Sequence, residues 1–301
     1  MSDEHGSVYD GLLGGDSSQW AFGTDFEDPL AGIDTTVPDG VDHTELAEYC
    51  LMLGDDALIM SQRLTEWCSR APDLEEDIAL ANIALDLLGQ ARLLLARAAA
   101  ADPGLLPALP EGSPVPTEDA LAFFRDAGQF RNVRLAEVAN GDFGHVVVRL
   151  LLFAVARLAL LERLRASGDT VLAAVAAKGV KEVTYHRDWA ARWFLTLAQG
   201  TEESRRRLVT ALDALWPLQP ELVATHPVEL SLARAGVGVD PATTRGEVDA
   251  LLDQVLAMSG VARPDHPPLE GSGRTGTHTE DFADLLAEMQ VVARAHPSGR
   301  W

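Results

Sequence analysis

The chain has 301 residues and carries 46 acidic against 24 basic side chains, a formal net charge of −22. Such a surface repels phosphate backbones and anionic lipid, so neither nucleic acid nor a membrane surface is an expected partner. With 47% hydrophobic residues there is enough apolar side chain for one large core.

The first 41 residues hold nine acids and no Lys or Arg, among many Gly and Ser. That composition buries too little to offset ordering entropy, and an acidic, disordered N-terminal arm over residues 1–41 is expected, with a helical domain over 42–301. Trp20, Phe22 and Phe26 interrupt the arm, either as docking points for a partner or the body or as stray aromatics in a tail. The N-terminus lacks the basic residues and apolar core of a signal peptide. The most apolar segment, Val146 to Leu161, is broken by Arg149 and Arg157. The expected location is the cytoplasm.

A first helix is predicted from Asp42, whose spacing to Glu45 is that of a capping box, to about Ser69. Cys50 and Cys68 fall inside it about 27 Å apart, too far to pair, and are expected as buried thiols. Pro72 stands where a first helical residue would, with Asp73, Glu75 and Glu76 in the first turn of a second helix that runs to Arg97. That helix is apolar on nearly every side yet carries Asn82 and Asp86, four residues apart on one stripe. A buried carboxylate there must be paired, hydrogen-bonded or bound to metal.

The segment Asp102 to Pro116 is a Pro-rich crossover, followed by a short helix near Thr117 to Ala127 and an irregular stretch. Asp142 caps a third long helix to about Ala166. After a tight Ser-Gly-Asp connection, a fourth runs from Thr170 to Gln199. Three further helical stretches follow, Glu202 to Leu215, Glu221 to Arg234 and Pro241 to Met258, and a last one starts at Thr279 and Glu280. Two antiparallel hairpins joined by a long crossover is the connectivity of an all-α, ferritin-like four-helix bundle, here with extra C-terminal helices.

Bundles of this kind often hold two metal ions on a Glu from each of two helices and a Glu-x-x-His from each of the other two. A turn of two or three residues in the first hairpin sets Asp55 opposite Asp86, but three residues after Asp86 stands Gly89, where His is required. In the second hairpin Glu182 falls opposite Val155, and Leu151 to Ala156 offers no carboxylate. Tyr185 takes the histidine position after Glu182, and His186 is rotated about 100° from it. Asp55, Asp86, Gly89, Glu182 and Tyr185 therefore mark the positions of a vestigial site, with no catalytic residue and no metal expected. Arg149, Arg157, Lys178 and His186 are candidate charge partners for its acids. Glu66 is expected to be a solvated or Arg63-paired acid and not a base. Trp189 and Trp193 are expected in the core or at an interface.

The segments IMSQRLTEWCSRAPDLEEDIALANIALDLLGQAR (59–92), AVAAKGVKEVTYHRDW (174–189) and GTHTEDFADLLAEMQ (276–290) resemble the PaaC subunit family of the phenylacetyl-CoA 1,2-epoxidase complexes. The resemblance spans residues 44–301 and departs from the family pattern at Ala154 and Arg157. It implies a ferritin-like fold and a non-catalytic structural subunit beside a catalytic PaaA-type subunit that holds the di-iron centre. Further subunits and a flavin and iron–sulfur reductase would serve the same complex, and the chain itself would bind no cofactor. The alternative expectation is a di-iron oxygenase or ferroxidase in its own right, with Asp55, Asp86, Glu182 and His186 as atypical ligands.

Overall fold

The computed structural model describes residue 30 and residues 32–299, so Trp20, Phe22 and Phe26 lie outside the described residues. Among those described there are ten α-helices and no strand. The first hairpin is α1 (His43–Thr65) and α2 (Leu74–Ala101). Asp42 caps α1 by accepting from the Glu45 amide, and Asp73 caps α2 by accepting from Glu76. Pro72 thus precedes the cap instead of opening the helix. The connection spans residues 66–73, longer than the two or three residues expected, and includes Ser69 in the left-handed region at φ 67°. Cys68 lies in this turn and is exposed, whereas Cys50 is buried in α1.

The longer turn resets the register. Ser61 Oγ donates to the Ala84 carbonyl at 2.7 Å and His43 Nδ1 lies 3.1 Å from the Ala101 carbonyl. Asp86 is then level with Ile59, one helical turn from Asp55.

The crossover leads through α3 (Thr117–Phe123) and α4 (Arg134–Glu137) to the second hairpin, α5 (Phe143–Leu164) and α6 (Thr170–Gln199), capped by Asp142 and Asp169. The hairpins pack chiefly through α2 and α6, which run antiparallel. Arg97 of α2 donates to Asp169 at 2.6 Å at one end, and Trp189 Nε1 donates to Glu76 at 2.6 Å toward the other.

Helices α7 (Glu202–Leu215), α8 (Pro227–Arg234) and α9 (Arg245–Ser259) cover α5, α6 and α1, while α10 (Asp281–Ala295) lies against α3 and α4. By length and composition both α2 and α5 are apolar enough to cross a membrane. In α5, 89% of the most apolar window is buried within the fold, which makes it the central core helix. In α2 only 50% is buried, so an apolar strip of α2 faces outward.

The assigned arm extends too far toward the body. Arg97 Nη1 donates to the Thr35 carbonyl at 2.9 Å and Thr170 Oγ1 donates to the Asp34 carbonyl at 2.5 Å. Val41 is buried. The local composition is polar, but here the backbone carbonyls serve as acceptors for the body.

The C-terminal loop locks onto the crossover. A Cβ on Gly273 would stand 1.9 Å from the Asn132 carbonyl oxygen, so the two backbones touch and no side chain fits between them. Gly273→Ala is expected to destabilise the chain by about 1–3 kcal/mol through forced displacement of this loop, measurable as a lower urea midpoint.

On α8, Glu229 is buried, and burial pushes its carboxyl up to about 7. Because the folded state holds this proton more tightly than the unfolded chain, its contribution is complete below the ordinary glutamate range. It is lost as pH rises through about 7. Glu229→Gln is expected to flatten the fall in stability between about pH 4.5 and 7, read from melting temperatures across that range.

Candidate functional site

A polar seam runs through the contact of α2, α5 and α6. Gln90 sits at its centre, four residues after Asp86 on the same stripe of α2. Its Nε2 donates to Glu182 Oε2 at 2.9 Å, and its Oε1 accepts from Arg157 Nε at 3.0 Å. Lys178 reaches Glu182 from one turn earlier on α6, at 3.0 Å. Gly179 makes room for this: an added Cβ would lie 3.0 Å from Leu161 and 3.4 Å from the Gln90 amide. Arg157 also donates weakly to the Leu53 carbonyl at 3.4 Å, so one guanidinium spans from α5 to both helices of the first hairpin.

Burial pushes Arg157 down to about 10, with Asp56 and Glu182 opposing the shift and Arg274 adding to it. Its Nη2 has no hydrogen-bond partner among the described residues, and the residue helps line a cavity of about 20 Å³ together with Leu53, Asp56, Phe153, Leu222 and Arg274. That is room for a single water.

One turn along, His186 Nε2 lies 3.1 Å from Asp86 Oδ2. Burial holds the imidazole below its usual range, while the Asp86 hydrogen bond and charge pull the other way. In the neutral ring the nitrogen facing a carboxylate must carry the proton, so Nε2 donates to Asp86.

His186 therefore points into the seam and Tyr185 points out of it, the reverse of the expected assignment. The reason is that position i+4 shares the face of Glu182 as well as i+3 does. Gly89 stands beside Lys178, whose Nζ would be 3.9 Å from an added Cβ.

Asp55 is not part of the seam. It is fully buried on another side of α1, bridged by both terminal nitrogens of Arg125, and it accepts the Arg131 amide at 2.9 Å. Neither does Arg149 reach the seam acids. It donates to the Val138 carbonyl at 2.8 Å and to Asn140 Oδ1, and burial beside Arg63 pushes it down to about 9. Arg63 pairs with Glu66 at 2.9 Å, as the spacing suggests. Trp189 is buried with its indole on Glu76, and α1 is covered along most of its length.

Two buried clusters escaped the sequence pattern. Asp56 takes both terminal nitrogens of Arg274 at 2.9 and 2.8 Å and the Val133 amide at 2.7 Å. Glu137 accepts from Asn132 at 2.8 Å and from the Thr279 amide, and it lies 2.7 Å from His278 Nδ1. The segment 273–280 thus clamps α1 and the crossover. Its Gly-rich, polar composition signals a loop without indicating what it grips.

The donors present do not suit a pair of metal ions. Asp55 is turned away and paired, Glu182 is engaged by an amide and an ammonium, and the space between the helices is taken by Gln90 and the cationic Arg157. A fixed guanidinium repels a metal cation. Among the described residues no group of three or more His, Cys, Asp and Glu side chains is gathered to hold a metal.

A family model described as phenylacetic acid catabolic protein matches residues 33–301. The chain is similar to the C subunit of the 1,2-phenylacetyl-CoA epoxidase of Escherichia coli (strain K12). The two are 39% identical over 257 residues, covering 85% of this chain and 99% of that protein.

Proposed function

Because the chain belongs to the phenylacetic acid catabolic protein family, we propose that it is the non-catalytic structural subunit of a multicomponent di-iron monooxygenase that epoxidises the ring of phenylacetyl-CoA. It seats a catalytic PaaA-type subunit, which holds the di-iron centre and receives electrons from a reductase. The observation that carries this reading is the seam itself. Arg157 and Gln90 occupy the space between α2, α5 and α6 where metal ligands would converge, so the position is a degenerate site filled by a guanidinium.

The outer surface of α2 supports the same reading. Leu74, Ile78, Leu85 and Leu88 recur at helical spacing and are exposed, Leu74 and Leu85 to 69% and 63%. A stripe of this kind is the signature of an unfilled helix-packing surface. It replaces Trp189 and Trp193 as the candidate interface, since those are largely occupied within the fold.

Co-expression with the catalytic family member from the same source should yield a stable complex with its iron in the partner. Recovery of the two proteins uncomplexed would overturn the reading. So would about two irons per copy of this chain alone, with epoxidation activity.

A further inference from the structure

The outward face of α2 is bordered by an unusual group of charges. The sequence contains only two lysines, Lys178 and Lys181, against 46 acidic side chains. Both are exposed on α6, three residues apart, and Tyr185 continues their row at helical spacing. Lys178 lies over Gly89 of α2, which places this row directly beside Leu85 and Leu88. Between the lysine row and the apolar stripe lies Asp86. One of its oxygens is held by His186, and 36% of its side chain remains open to solvent.

Covering the stripe would also cover Asp86. A carboxylate that loses water without gaining a donor is costly, and the neutral His186 occupies only one of its oxygens. The lysines present the opposite demand: Lys178 shares its charge with Glu182 at 3.0 Å yet stays largely exposed, and Lys181 is exposed beside it, so an acidic neighbour would still gain attraction. A second copy of this chain does not meet it well, since two bodies of net charge −22 repel as they approach.

Resting on the structural-subunit reading, we propose that this face selects its partner by a polar code. The catalytic subunit presents a helical apolar ridge to Leu74, Ile78, Leu85 and Leu88, acidic side chains to Lys178 and Lys181, and one basic side chain to Asp86. The apolar stripe supplies most of the affinity. The charges set orientation, association rate and discrimination against self-pairing.

The test measures association of the full chain with the catalytic subunit by surface-immobilised kinetics at low and high salt. Lys178→Glu combined with Lys181→Glu should slow association by about 10-fold or more at low salt, with the deficit shrinking as salt rises. Asp86→Asn should raise the dissociation rate by about 10-fold, as expected for a lost hydrogen bond to a charged group. Melting of each variant alone separates docking from folding, with a small loss expected where Lys178→Glu faces Glu182 one turn away; if the double variant is unfolded, the neutral Lys178→Gln and Lys181→Gln pair replaces it with the same sign of effect, and if Asp86→Asn is unfolded, the code is judged on the lysine pair alone.

Parental kinetics and parental salt dependence in both variants would overturn the code. If Leu85→Asp still abolished binding, the docking face and the structural-subunit reading would stand without it. Self-association of the chain through the Leu85 face would overturn the code as well. Failure of the parent chain to bind the catalytic subunit would remove the reading on which it rests.

Discussion

Arg125→Ala is expected to destabilise the chain by about 3–5 kcal/mol, because it strands the fully buried Asp55 carboxylate without its counter-ion. The guanidinium also stacks 4.1 Å over the Phe130 ring, and its loss leaves a void there. Replacing both charges, Asp55→Leu with Arg125→Met, should recover most of the loss, since an apolar pair of similar volume removes the stranded charge. The Arg131 amide, which donates to Asp55, then stays unsatisfied and keeps recovery incomplete. Urea unfolding of the three proteins makes the comparison. A single variant as stable as the parent would show that Asp55 has another way to satisfy its charge.

The second large effect belongs to the surface. Leu85→Asp should weaken the complex with the catalytic subunit by at least about 2 kcal/mol, a factor of about 30, by placing a charge at the centre of an apolar stripe. Leu85 is 63% exposed, so the free chain should change by only about 0.5 kcal/mol. Titration of binding alongside melting of the free chain reads both quantities. An unchanged affinity would mean that the partner seats elsewhere, and the structural role would then need a different surface.

The helices were legible because their signals are local. Asp42, Asp142 and Asp169 each cap through a side chain within three residues, and the apolar runs of α2 and α5 speak through spacing alone. The polar partners were less legible, since their geometry depends on residues far away in sequence. Expecting a short turn after α1 put Asp55 opposite Asp86, and the eight-residue turn moved them a helical turn apart. Asp55 meets Arg125 from 70 positions away, just past the end of the short helix that follows the crossover. Gln90 was within reach of sequence reasoning, four residues after Asp86, but an amide attracts no notice when ligands are sought. The Tyr185 and His186 exchange came from treating i+3 as the only inward position when i+4 is equally available.

The grip of Arg274 on Asp56 also sets an order of events in time. The two residues are 218 positions apart, so on a ribosome moving at about 5–20 residues per second the α1 carboxylate waits roughly 10–45 s for its guanidinium. Throughout that interval the first hairpin is a nascent structure with an uncompensated acid on the surface it must later bury. Premature termination before Arg274 would release a chain whose longest helices are all present and whose clasp is missing, a natural substrate for quality-control proteases.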